Sequence, residues 1–175
     1  MRYTLLVAAL AATVATPALA QQAPTATDTA SANAKGVVLQ AHQLVKNADL
    51  DFGVVTVDNQ GGTVSISADA AGNRSTTLGV AALSGTYHAA TFLGDAAPLE
   101  TVTLTLSQPA NGTIKNTNNV NITIPASLVL DSAGTTRVTD STGQFTVYVG
   151  GTFTLAPNQA AGVYTETFDL RADYQ

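Results

Sequence analysis

The side chains able to do chemistry are few: His42, His88, twelve carboxylates and no cysteine in 175 residues. Without a thiol there is no thiolate nucleophile or soft metal ligand. Neither histidine stands in a metal-ligand spacing such as H-E-x-x-H, so each reads as a strand-surface residue. Leu83-Ser84-Gly85 is not part of a G-x-S-x-G elbow and reads as a turn. Asp49 and Asp51, two apart around Leu50, share one strand face and read as solvent-facing positions flanking a core. Asp58-Asn59-Gln60-Gly61-Gly62 and Asp69-Ala70-Ala71-Gly72-Asn73 resemble calcium loops in outline. They lack the carboxylate density of an EF-hand loop, and Asx-turn chemistry accounts for them. The expectation is a protein with no enzymatic activity, no metal and no cofactor.

The remaining chemistry is that of surfaces that join. From Gly162 the sequence reads GVYTETFDLRADYQ. Tyr164, Phe168, Leu170, Ala172 and Tyr174 alternate with polar residues, and Glu166 is the one misfit on the apolar face. A period of two predicts a half-buried strand over Tyr164 to Tyr174. Such a strand needs a neighbour on each edge unless it lies at the side of a sheet.

The elements that would position it are also strands. Runs are expected at Gly36 to Val45, at Leu50 to Val57 with a bulge at Gly53, and at Gly62 to Ser67. Others follow at Thr77 to Leu83, His88 to Leu93, Glu100 to Gln108, Thr113 to Lys115, Val120 to Ile124 and Ala126 to Leu130. Phe145 to Leu155 has Gly150-Gly151 in its middle as a bend. Turn residues punctuate every 8–12 positions or so, and no helical period appears after the N-terminus. The fold class expected is all-β, an immunoglobulin-like antiparallel sandwich.

The N-terminus reads as a secretory signal peptide over residues 1–20. Arg2 precedes an apolar run that is too short to span a bilayer, and Ala18-Leu19-Ala20 supplies a small-x-small cleavage site. Residues 21–34, QQAPTATDTASANA, are too poor in apolar residues to build a core and predict a flexible arm with small residues at Ala26, Ala30, Ala32 and Ala34. Residues 35–175 then form the sandwich. Charged residues are 11% of the chain against about 25% in typical domains, with a formal net charge of −5. So few Lys and Arg argue against nucleic acid and anionic membranes as partners. An outer-membrane barrel would require aromatic girdles, and aromatics are only 6% with no Trp.

LDFGVVTV, GTVSIS and the closing VGGTFTLAPNQAAGVYTETFDLRADYQ together resemble the DUF4402 family of exported bacterial all-β proteins. The ending also resembles the final strand of chaperone–usher pilins, including the archaic spore coat protein U group. These commonly carry a glycine fourteenth from the end, here Gly162, and a penultimate tyrosine, here Tyr174. The chain differs from many pilins in having no cysteine pair and no large apolar residue in its arm. The pilin resemblance implies a sandwich lacking its last strand, with Gly162, Tyr164, Phe168, Leu170 and Tyr174 as the docking strand and the Ala26, Ala30, Ala32, Ala34 arm as candidate donor. It implies identical subunits, a periplasmic chaperone and an outer-membrane usher as partners, and passage through the periplasm to the cell surface. The alternative expectation is a self-contained secreted sandwich acting as a binding or adhesion module.

Overall fold

The computed structural model describes residues 31–38 and 41–175. The expected signal peptide, Ala26, Ala30 and the pair 39–40 lie outside the described residues. Residues 31–36 belong to an N-terminal unit and are exposed without regular structure, Ala32 and Ala34 included. From Val37 onward the chain forms a second compact unit.

That unit is the all-β antiparallel sandwich expected. Its larger sheet holds β1 (Gln43–Ala48), β6 (Ala90–Asp95), β11 (Gln144–Leu155), β9 (Thr123–Leu130), β8 (Thr113–Asn116) and β12 (Tyr164–Thr165) in that order, with β3 (Gly62–Ile66) and β4 (Arg74–Thr76) attached through β11. A second sheet is β10 (Thr136–Val138), β7 (Thr101–Leu106) and β13 (Leu170–Tyr174). A two-stranded piece, β2 (Val55–Val57) with β5 (Val80–Ala82), completes it.

β11 organises the packing. Its odd-numbered residues all face inward, as the period of a strand dictates. Phe145, Val147 and Val149 pack with Phe92, Leu128, Val102, Leu104 and Ala172 in one apolar cluster. Phe153 and Leu155 pack with Val64, Val80 and Ile124 in another. One edge of β11 serves two partners in turn: residues 144–149 pair with β6, and residues 151–155 pair with β3. The changeover falls at Gly150. A Cβ there would lie 2.4 Å from Ile66 O and 2.6 Å from Ala68 N, where β3 ends and its chain turns away. The Gly-Gly pair thus leaves the strand continuous and admits a second backbone at close range.

Three expectations are corrected. The first strand starts at Gln43 rather than Gly36, and Val37 and Val38 are exposed with no ladder partner among the described residues. The runs expected at Val120 to Ile124 and Ala126 to Leu130 fall in one strand, β9, which begins only at Thr123 and runs through Pro125, leaving residues 120–122 in the preceding turn. Residues 123–125 pair with β8 and residues 126–130 with β11. By the ladder's alternation the nitrogen of Pro125 faces β11 just beyond the last paired residue, Ala126, so no ladder bond is lost. Finally, the expected strand from Tyr164 to Tyr174 is two strands in two sheets. β12 pairs with β8, residues 166–169 cross over, and β13 pairs with β7. Glu166, the misfit in the alternation, begins this crossing. Its Oε2 lies 2.7 Å from Lys115 Nζ on β8, and its Oε1 accepts from Thr167 N–H at 3.2 Å.

Candidate functional site

The crossing divides the five residues expected to act as one docking strand. Tyr164 packs against the second apolar cluster, whereas Phe168, Leu170 and Tyr174 pack against the first. The Tyr164 hydroxyl donates to Ala160 O at 2.6 Å and accepts from Gln159 Nε2 at 3.0 Å, closing the turn that precedes β12. Gly162 belongs to that turn. Its φ is +151°, and a Cβ would lie 2.3 Å from Asn116 Nδ2. Asn116 is buried, accepting from Asn118 N–H at 2.9 Å and donating to Ala161 O at 3.4 Å. The requirement for glycine at this position is therefore local packing against Asn116.

What remains together is β13. Leu170, Ala172 and Tyr174 point inward, with Ala172 the most buried at 4% exposure. Phe168 stacks edge-on against Phe92 at 6.1 Å between centroids. The Tyr174 hydroxyl accepts from Ala97 N–H at 2.8 Å, and its ring meets His42 edge-on at 5.5 Å. On the outward face Arg171 donates to Asp173 Oδ1 at 2.7 Å.

The hydrogen-bond phase of β13 follows from its ends. Ser107 N–H donates to Asp169 O, and Gln175 N–H donates to Thr101 O. In an antiparallel ladder the bonded pairs alternate, so Arg171 and Asp173 bond with β7 while Leu170 and Ala172 direct N–H and C=O to the opposite edge. Among the described residues no strand lies on that edge. β1 closes one side of the larger sheet and likewise pairs only with β6. The contact between His42 and Tyr174 sets these two sheet margins side by side. Beneath them lie the half-buried Leu44, Leu50, Phe168 and Leu170.

The residues considered for catalysis are engaged otherwise. His88 Nδ1 lies 2.8 Å from Asp49 O, and its backbone bridges Asp51 in both directions. The Asp51 carboxylate accepts from Gly53 N–H at 2.7 Å. Asp49 pairs with Lys46. Asp58 accepts from Gln60 N–H, and Asp69 from Ala71 and Gly72 N–H, which is Asx-turn chemistry in both loops. No three His, Asp or Glu side chains among the described residues gather as a metal site. Two anchors carry no motif in the sequence. Arg74 donates to Phe52 O, Val54 O and Leu83 O, tying β4 to β2 and β5, and lies 4.5 Å from the Tyr87 ring centroid. Arg137, 8% exposed, is paired with Asp131 and donates to Gly134 O and Thr136 O.

An antiparallel sandwich whose smaller sheet has, among the described residues, no strand beyond β13 is the class these features define. The chain belongs to the DUF4402 family, a domain of unknown function, whose model matches residues 43–174. That span runs from the first residue of β1 to the last of β13. No curated protein matches the sequence.

Proposed function

We propose that the chain is an exported, pilin-like structural subunit that assembles into a surface fibre by donor-strand exchange. The observation that carries this reading is the edge of β13. Two of its residues present backbone donors and acceptors away from β7, above half-buried apolar side chains. Such an edge is a template for pairing with another chain, and natural proteins cover or exploit it. A strand supplied in trans satisfies the backbone groups and covers the apolar residues together. In this reading a periplasmic chaperone supplies the strand in transit, an outer-membrane usher receives the subunit, and the N-terminal segment of the next identical subunit replaces the chaperone's strand. The signal peptide read from the sequence fits such a route.

The test is to export the precursor with and without a candidate chaperone encoded beside it, then examine the mature protein by size-exclusion chromatography and unboiled gel electrophoresis. A heterodimer with the chaperone, and a detergent-resistant ladder without it, is the expected result. A stable monomer in both cases, with an N-terminal strand of the same molecule lying on β13, would establish the self-contained binding or adhesion module instead.

A further inference from the structure

We infer that the segment entering the β13 edge of the next copy is centred on Val37 and Val38, not on the alanines of residues 21–34. This rests on the fibre reading above and names the residues that make the joint. Val37 and Val38 are 70% and 96% exposed, the most exposed adjacent pair of large apolar residues in the described chain. They stand outside regular structure. The receiving edge has the complementary need: outward backbone groups at Leu170 and Ala172, with Leu44, Phe168 and Leu170 only partly covered.

Alanine is a poor filler for such a place. Hydrophobic stabilisation scales with the area removed from water, and valine carries two more carbons than alanine. Valine is also among the best strand formers, because its branched side chain suits a pleated surface. In an added strand Val37 shares a face with Leu39, while Val38 faces the other way. The link between this segment and β1 is short. Only residues 39–42 separate Val38 from Gln43, a span of at most about 18 Å when extended. A joint made here sets consecutive sandwiches close together, whereas a joint at Ala26 to Ala34 would leave a longer tether.

The experiment compares three forms of the exported protein: the parent, the double variant Val37→Ser with Val38→Ser, and a deletion of residues 21–34. Detergent-resistant multimers and the melting temperature of the monomer are both measured. The expected result is loss of multimers in the double variant with no shift in monomer melting, and multimers retained in the deletion. As an assay independent of export, synthetic peptides of residues 31–42 and 21–34 are added to the purified monomer. The first should raise its melting temperature and the second should not. Multimers lost only in the deletion, or stabilisation only by the 21–34 peptide, overturns the inference and leaves the fibre reading standing. A parent that forms no multimers and gains no stability from either peptide overturns both.

Discussion

Phe168 and Tyr174 lie at opposite ends of the same inward row, each against a different part of the first apolar cluster. Truncating a buried aromatic costs about 3–5 kcal/mol, and a whole domain is stable by only about 5–15 kcal/mol. Phe168→Ser or Tyr174→Ser should therefore lower the yield of folded protein and its melting temperature sharply, though the half-burial of both rings places the cost near the lower end. Thr167→Ser, on an exposed neighbour, should stay within about 0.5 kcal/mol. Equal melting of all three with the parent would remove β13 from the core. Glu166 gives a pH signature. First the Lys115 ammonium, 2.7 Å from Oε2, and then the Thr167 N–H hold its carboxyl below the ordinary glutamate range. A depressed carboxyl stabilises the fold above its unfolded value and ceases to do so as pH falls through the folded one. Asp140, held low by the Thr142 hydroxyl and then the Gln144 and Thr142 N–H groups, acts in the same sense. Melting temperature measured against pH should thus show Glu166→Gln less stable than the parent near neutrality, with the gap closing below about pH 4. A gap that persists into acid would mean the ion pair does not fasten the crossing.

At the level of elements, long alternating strands were legible in the sequence and short or divided ones were not. Thr101 to Leu106 and Gln144 to Leu155 show their period over enough residues to be read, and the strand runs on through Gly150-Gly151, as a bend or bulge rather than a hairpin stop requires, with its register unbroken. β4 and β10 have three residues each, too few for a period to appear. The division of the closing stretch had one local sign, the glutamate on the apolar face, but strand alternation continues in phase across residues 166–169 and conceals the change of sheet. Pro125 acted the other way, suggesting a break in β9 where the ladder only changes partner. For the candidate site, the alternation picked out Tyr164, Phe168, Leu170 and Tyr174 together, and Gly162 came from the resemblance to pilin endings; the change of sheet at residues 166–169 sets Tyr164 apart from the other three. Arg74 bonds to backbone carbonyls of distant segments and Arg137 to those of its own turn, roles that residue type does not announce. The changeover on β11 yields its own expectation. Gly150→Ala places a methyl against backbone atoms of residues 66 and 68, which cannot rotate away as a side chain would. Overpacking of this kind costs roughly 1–3 kcal/mol, and the denaturant midpoint should fall with the m-value unchanged. A midpoint equal to the parent's would show that the loop after β3 yields freely.

Across the whole molecule, a charge content of 11% leaves long-range electrostatics little to do, and stability comes chiefly from two apolar clusters. β11 belongs to both, and its single inward face runs from Phe145 in the first to Leu155 in the second. Neither cluster can melt alone, because detaching either half of β11 strips the other of its central strand and of the ladder to β9. The two clusters should behave as one thermodynamic unit: calorimetric and van't Hoff enthalpies should agree, and the slowest-exchanging amides of both should report the same global opening free energy. Two resolved heat-absorption peaks would contradict this. A domain that opens all at once or not at all has no partly unfolded intermediate in which half a core lies bare, so the β13 margin, on which no strand lies among the described residues, keeps its form while the rest of the molecule keeps its amides closed to solvent.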